Sequence, residues 1–469
     1  MRYNSFAFLV FAAVFFATWP LVRGRDRSRW VALTLFSFFF YGWWDWRFTT
    51  LLAASGLIDY WAALAIEKWR DRRRPLLALS LGCNLTILGA FKYAGFAAES
   101  FNSLFEALGG SAWLPVLRML PPAGLSFYTF QAMSYTIDVY RGRLAATRDI
   151  FHFFSYLTLF PQLVAGPIVR AADLLPQLTW GRAVTAEQRW GGLRLMAQGF
   201  FKKMVIADNL APAVNHAFSA FDVTPSAPYW WLVVSMTAFQ VYGDFSGYSD
   251  IATGLCKWMG YQLLPNFDRP YTAASMREFW TRWHISLTSW FRDYVYYPLG
   301  GSRGTEAMTH RNSWLTMLLV GIWHGASWNF VAFGVLHATF LSVERVARIP
   351  ERLCKLPLGR PAAVLLTLAQ VWLGYVLFRA VSFDQATRII LTLFSPGGMD
   401  QAGLGLLRPA LPFLALGVLW ELIAALEPHK WSVTATSGWR QAQIVFTAVL
   451  IFCCVYLRGP GSAFVYFQF

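Results

Sequence analysis

Two histidines in this chain stand where an imidazole could do chemistry. His324 lies in Gly321-Ile-Trp-His-Gly-Ala-Ser-Trp-Asn-Phe330, inside a largely apolar stretch. Imidazole changes charge near neutral pH, so in such a span it can act as a general base. The small residues around it permit close approach by another helix or by a substrate. His284 lies in an aromatic run, residues 277–297, where Trp280, Trp283, Leu287, Trp290, Phe291 and Tyr294 recur at helical spacing. Arg282, Ser286, Ser289, Arg292 and Asp293 crowd the other faces, a pattern that predicts an interfacial or re-entrant amphipathic helix. A lone histidine on the aromatic side is ordinarily a packed, hydrogen-bonded residue. His337, deeper in an apolar run, reads as structural.

A third polar feature is Gln240-Val-Tyr-Gly-Asp244-Phe-Ser246-Gly-Tyr248-Ser249-Asp250. Ionisable groups inside a membrane are costly and concentrate at functional sites. Asp244, Ser246, Tyr248 and Asp250, with Trp323 and Arg282, are therefore candidates to line a substrate path. The alternative is a polar network that ties helices together. Other chemistries find less support. Gly300-Gly-Ser302-Arg-Gly304 matches the G-x-S-x-G pattern, but the strand-turn-helix context that motif requires is absent. There is no Walker A loop and no H-E-x-x-H. The seven histidines show no ligand-like pairing, so no metal site is expected. The five cysteines form neither a zinc nor a disulfide pattern.

The elements that must position these groups are membrane helices. Of 469 residues 56% are hydrophobic and only 14% charged, against about 25% charged in a soluble domain. The net charge of +15 arises largely from Arg-rich clusters beside apolar runs, as expected for loops facing an anionic leaflet rather than for nucleic-acid binding. Candidate spans fall near 5–22, 30–46, 48–66, 75–93, 120–138, 151–168, 192–218, 228–250, 313–343, 361–382, 408–427 and 441–457. Some are expected to be broken or re-entrant, and 313–343 divides naturally at its Gly-Ala-Ser turn. The count is about eleven transmembrane helices. The first is expected to be a retained helix rather than a signal peptide. Basic loops at Arg23–Arg29 and Lys68–Arg74 predict an outside N-terminus, with 94–119 an external or re-entrant loop. Residues 383–406 read as a larger loop, and the whole chain, 1–469, as one membrane domain.

Both histidine segments resemble the signature of the membrane-bound O-acyltransferase family, in the bacterial branch that includes the membrane subunit of alginate O-acetylation. The ordered motifs are Phe91-Lys-Tyr93, Leu125-Ser-Phe-Tyr128, Tyr135-Thr-Ile-Asp-Val-Tyr-Arg141, Leu163-Val-Ala-Gly-Pro-Ile-Val-Arg170, Asp244-Phe-Ser-Gly-Tyr-Ser-Asp250, Glu278-Phe-Trp-Thr-Arg-Trp-His-Ile-Ser-Leu287 and Trp323-His-Gly-Ala326. The resemblance implies an all-α polytopic fold, a ring of helices around a funnel with a tunnel crossing the membrane. It implies that His324 is the catalytic histidine and that His284 holds the second motif position. The two are 40 residues apart (324 − 284) and would meet only through the fold. His324 would act as general base while His284 orients it or polarises the carbonyl. The donor would be cytoplasmic acetyl-CoA, with no permanently bound cofactor.

The same resemblance singles out the aromatic tail, 459–469, which opens with a Gly-Pro-Gly turn. Tyr466 would carry the acyl group in transit, the alternative being an interfacial anchor. The implied function is O-acetylation of a cell-envelope polysaccharide or exopolysaccharide of the alginate, cellulose or peptidoglycan type. The enzyme would sit as a multi-pass protein in the bacterial inner membrane, with an extracytoplasmic acetyltransferase as partner. Two other readings remain: a transporter or flippase without covalent chemistry, and an acyltransferase acting on a lipid acceptor.

Overall fold

The computed structural model describes residues 1–469 apart from 118, 180–182, 220–225, 399–400, 427–436, 463 and 465–469; of 402, 425–426 and 437–439 only the backbone is described. Among the described residues every regular element is a helix. Among the described residues five helical stretches are long and apolar enough to cross a bilayer: Arg47–Lys68, Arg70–Ala107, Trp328–Ala347, Gly359–Arg379 and Gly403–Ala424. Phe6–Val22 and Arg440–Tyr456 are apolar but shorter. Several of the apolar runs expected from hydropathy are broken. Residues 151–168 split into Ile150–Leu157 and Phe160–Leu163, with Pro161 at the start of the second piece. Residues 192–218 pass through a π turn at Phe201–Ala207.

Other departures from the sequence reading have local causes. The loop expected over 94–119 is helical as far as Ala107, continuing the helix Arg73–Leu88 through a π turn at Gly89–Tyr93. The larger loop expected over 383–406 contains Phe383–Leu393, whose start is capped by Ser382, while the Gln385 side chain bonds back to the Val381 amide. Arg29, assigned to a basic loop, lies within the helix Asp26–Gly42 and is 1% exposed. Its guanidinium donates to the Leu178 carbonyl at 3.0 and 2.8 Å, closing the C-terminal end of the helix Ala171–Leu178.

The chain divides into two compact units, residues 1–193 with 252–264 and residues 194–251 with 265–469. In the first, Arg47–Lys68, Arg73–Leu88 and Leu125–Tyr140 pack around a buried carboxylate, Asp59. Ser80, Thr136 and Asn84 donate to it at 2.6, 2.7 and 2.7 Å, and Ser55 donates to Asn84 at 2.8 Å.

In the second unit, Glu306–His324 and Trp328–Ala347 form a helical hairpin around Gly325-Ala-Ser327, so the 313–343 run does divide there. Their backbones approach closely because Gly321 and Gly334 face one another's helices. A Cβ would lie 2.3 Å from the Phe330 carbonyl at Gly321 and 2.7 Å from the Met317 carbonyl at Gly334. The single amphipathic helix expected over 277–297 is instead Met276–Arg282, a break at Trp283-His284, Ile285–Phe291, and a π turn at Arg292–Tyr296. The first piece starts at an N-cap, with Ser275 Oγ accepting from the Glu278 amide, while the Glu278 carboxylate accepts from the Ala274 amide just before the cap at 2.7 Å.

Candidate active site

His284 owes its position to that break. Its backbone is left-handed, φ 43° and ψ 53°, which is costly for a residue with a side chain and persists only where the surroundings enforce it. Asn266 is the enforcing group. Its carbonyl accepts from the Ile285 amide at 2.9 Å, and its Oδ1 stands 3.2 Å from His284 Nδ1. The same Oδ1 accepts from Ser286 Oγ at 2.8 Å, while Asn266 Nδ2 donates to Ser249 Oγ at 3.1 Å. His284 is thus fully buried, held on one side by a neutral amide. Phe245 meets its ring edge-on at 4.6 Å.

His324 is the last residue of its helix, where the chain turns extended at Gly325. It is 4% exposed and surrounded by the rings of Trp323, Phe333 and Phe378 at 5.0, 5.5 and 5.4 Å. Trp323 joins the two histidines, since its indole also lies 5.8 Å from the His284 ring. Beside His324 is a cavity of about 20 Å³, walled mainly by Phe279, Trp280, Phe333 and Phe378. That is room for roughly one water-sized group. His337 lines the same cavity, 1% exposed, and neither of its ring nitrogens has a hydrogen-bond partner among the described residues.

The polar run at 240–250 meets a pair of lysines. Lys203 Nζ stands 2.8 Å from both Asp244 and Asp208, and Lys202 Nζ is 2.7 Å from Asp250. Ser246 and Ser249 are buried, and Tyr248 packs against Phe464 of the C-terminal tail at 5.0 Å. Arg282 lies apart from the histidines' ring contacts given above. It pairs with Glu278 at 2.5 Å and donates to Thr272 Oγ1 at 2.7 Å, pinning the preceding loop. Tyr466 lies outside the described residues. The residues sequence reasoning missed are Asn266, Lys203, Asp208 and Phe464. Lys202-Lys203 inside the expected 192–218 span was a readable signal, because two ammonium groups in an apolar run require buried partners. Asn266, in an ordinary Pro-Asn turn, gave none.

Among the described residues no group of three His, Cys, Asp or Glu is placed to hold a metal ion. Two buried imidazoles thus share one indole in a helical protein, with an apolar cavity at one of them. The sequence pattern described as MBOAT, membrane-bound O-acyltransferase family, matches residues 143–350, which include both His284 and His324. The chain is 41% identical over 400 residues to the "Probable alginate O-acetylase AlgI" of Azotobacter vinelandii, covering 84% of this chain and 78% of that one. It is 33% identical over 398 residues to the "Peptidoglycan O-acetyltransferase" of Helicobacter pylori, covering 78% and 74%. It is 24% identical over 289 residues to the "Teichoic acid D-alanyltransferase" of Bacillus subtilis, covering 57% and 71%. The chain belongs to the membrane-bound O-acyltransferase family. It is a multi-pass membrane protein and an O-acyltransferase.

Proposed function

We propose that this enzyme takes an acetyl group from cytoplasmic acetyl-CoA and passes it across the bacterial inner membrane. The acetyl group then serves O-acetylation of a cell-envelope polysaccharide or exopolysaccharide, completed by an extracytoplasmic acetyltransferase partner. The observation that carries this reading is the buried His284–Trp323–His324 arrangement with its small apolar cavity. A cavity of about 20 Å³ suits a methyl group better than the larger, charged D-alanyl group handled by the more distant relative. The names of the relatives above, an alginate O-acetylase and a peptidoglycan O-acetyltransferase, supply the polysaccharide class.

In this reading His324 is the general base. It accepts the proton of an attacking hydroxyl as the oxygen adds to the thioester carbonyl. The tetrahedral intermediate collapses with loss of the CoA thiolate, which takes a proton from the imidazolium. His284 orients the reacting carbonyl or polarises it. The low water content of such an interior suppresses hydrolysis of the thioester. We take Tyr466 as the first acceptor, forming an acetyl-tyrosine that is then handed outward. The position of Phe464 supports that assignment. Phe464, two positions before Tyr466 in the sequence, packs against Phe245 with ring centroids 5.8 Å apart, and Phe245 packs against His284 at 4.6 Å.

The test is acyl transfer from radiolabelled acetyl-CoA to the purified protein. Wild type takes up label at Tyr466, while His324→Ala and Tyr466→Phe do not. An unlabelled wild type in the presence of its partner removes the relay. If His324→Ala in addition leaves polymer acetylation intact, transport without covalent chemistry becomes the better account. Label recovered in a lipid rather than in polymer would instead identify a lipid acceptor.

A further inference from the structure

The C-terminal segment enters the second unit at a place built to receive it. After the helix Ser437–Tyr456, Asn209 Nδ2 donates to the Leu457 carbonyl at 2.8 Å. The Gly459 amide then donates to the Met204 carbonyl at 2.8 Å. Met204 belongs to the π turn Phe201–Ala207, and such a turn leaves carbonyls outside the regular helical ladder. Gly459 lies so close to Asp208 that a Cβ would fall 2.4 Å from its carbonyl carbon.

Three residues further on, Ser462 completes an ionic cluster. Lys203 Nζ is one ammonium between two carboxylates, Asp208 and Asp244, with side chains 9%, 2% and 1% exposed. Buried carboxylates need hydrogen-bond donors to offset the cost of their desolvation. Ser462 supplies two of them. Its Oγ donates to Asp208 Oδ1 at 2.6 Å and its amide donates to the same oxygen at 3.1 Å. Its carbonyl and hydroxyl oxygens lie 3.1 and 3.3 Å from Lys203 Nζ. Beyond it, Phe464 is 3% exposed, between Tyr248 at 5.0 Å and Phe245 at 5.8 Å.

We propose that Lys203, Asp208 and Asp244 form a buried dock for the chain's own C-terminal segment. They act as positioning residues that hold Phe464 against Phe245 and Tyr248, and Phe245 in turn packs against His284. The role of the dock in catalysis rests on the tail-relay reading above; the docking itself does not. An ionic dock suits this segment because it fixes the backbone at Ser462, three residues past the separate bond from the Gly459 amide to the Met204 carbonyl.

The experiment is hydrogen–deuterium exchange of the full-length protein in detergent micelles, followed by mass spectrometry of its C-terminal peptides, beside acetyl-transfer kinetics. In wild type the Gly459 and Ser462 amides exchange slowly. Ser462→Ala and Lys203→Met each speed exchange across 459–464 by about tenfold or more, as expected on losing a hydrogen bond to a charged group. Exchange elsewhere in the chain stays as in wild type. In both variants kcat falls while KM for acetyl-CoA is unchanged, a split that general destabilisation does not produce. Ser462→Ala alters only the tail, so it tests the dock even if Lys203→Met fails to accumulate. Tail exchange that is fast in wild type, or unchanged by Ser462→Ala, overturns the dock. Tyr466→Phe separates the two ideas, since it keeps the tail amides slow. Full activity in that variant removes the relay and leaves the docking result standing.

Discussion

Each unit buries acidic groups among membrane helices, and the two do so differently. In the first, Asp59 is surrounded by neutral donors only, Ser80, Thr136 and Asn84, from the two helices packed against its own. Both carboxylate oxygens are engaged, and the network closes on itself through Ser55. In the second, the carboxylates of Asp208 and Asp244 share a lysine, and the cluster is completed by a segment from the end of the chain. Nearby, two imidazoles meet one indole beside a cavity. A closed set of neutral hydrogen bonds ties helices together. A set that borders a cavity or takes in a separate chain segment can position groups for chemistry. Polarity inside a membrane protein therefore marks a site only when the network is open.

The sharpest way to break that contrast is His324→Ala. Loss of a general base costs about 10²–10⁴-fold in rate. Acetyl transfer by the purified variant should fall within that range with the fold intact by circular dichroism. A fall of less than threefold would deny the second unit its chemical role. Next is Asn266→Ala, which removes the amide beside His284 Nδ1 and the Ser286 hydroxyl. Misplacement of a reacting group by about 1 Å costs up to 10²-fold, so kcat should drop by tenfold to a hundredfold. An unaltered kcat would show that His284 needs no such hold.

A smaller effect sharpens the cavity assignment. Phe378→Ala opens the wall beside His324. One methylene in a hydrophobic pocket is worth about 10–200-fold in discrimination, so propionyl transfer relative to acetyl transfer should rise by at least tenfold. An unchanged ratio of the two kcat/KM values would place acyl selection elsewhere. The smallest expected effect on turnover belongs to the first unit. Asp59→Asn leaves the Ser80 and Thr136 hydroxyls facing a weaker acceptor, at a cost of about 1–3 kcal/mol in stability. The thermal midpoint in detergent should drop while kcat of the folded protein holds. A large loss of kcat at full stability would make Asp59 chemical and erase the distinction between the units.

Much of the site was legible as residue types. His284, His324 and the acidic run at 244–250 stood out because apolar sequence makes any ionisable group conspicuous. The hairpin around Gly325-Ala-Ser327 was also readable, from small residues interrupting an apolar run. The break at Trp283-His284 was not. Helical spacing of aromatics runs straight through it, and the interruption depends on Asn266, eighteen residues earlier. Likewise, the sequence reading ends the 75–93 span at Tyr93, whereas the helix continues to Ala107.

By itself the sequence determined that this is a helical membrane protein of an acyltransferase family, because scarcity of charge and ordered motifs are properties of the linear chain. Tertiary structure alone decided which polar groups meet. Lys203 and Ser462 are 259 positions apart, and no periodicity links them. His284 and His324 come to a common indole only because a left-handed residue ends one helix and a glycine turn ends another. Local sequence specifies helices through hydrogen bonds a few residues long, whereas a site is assembled from contacts whose partners are set by packing.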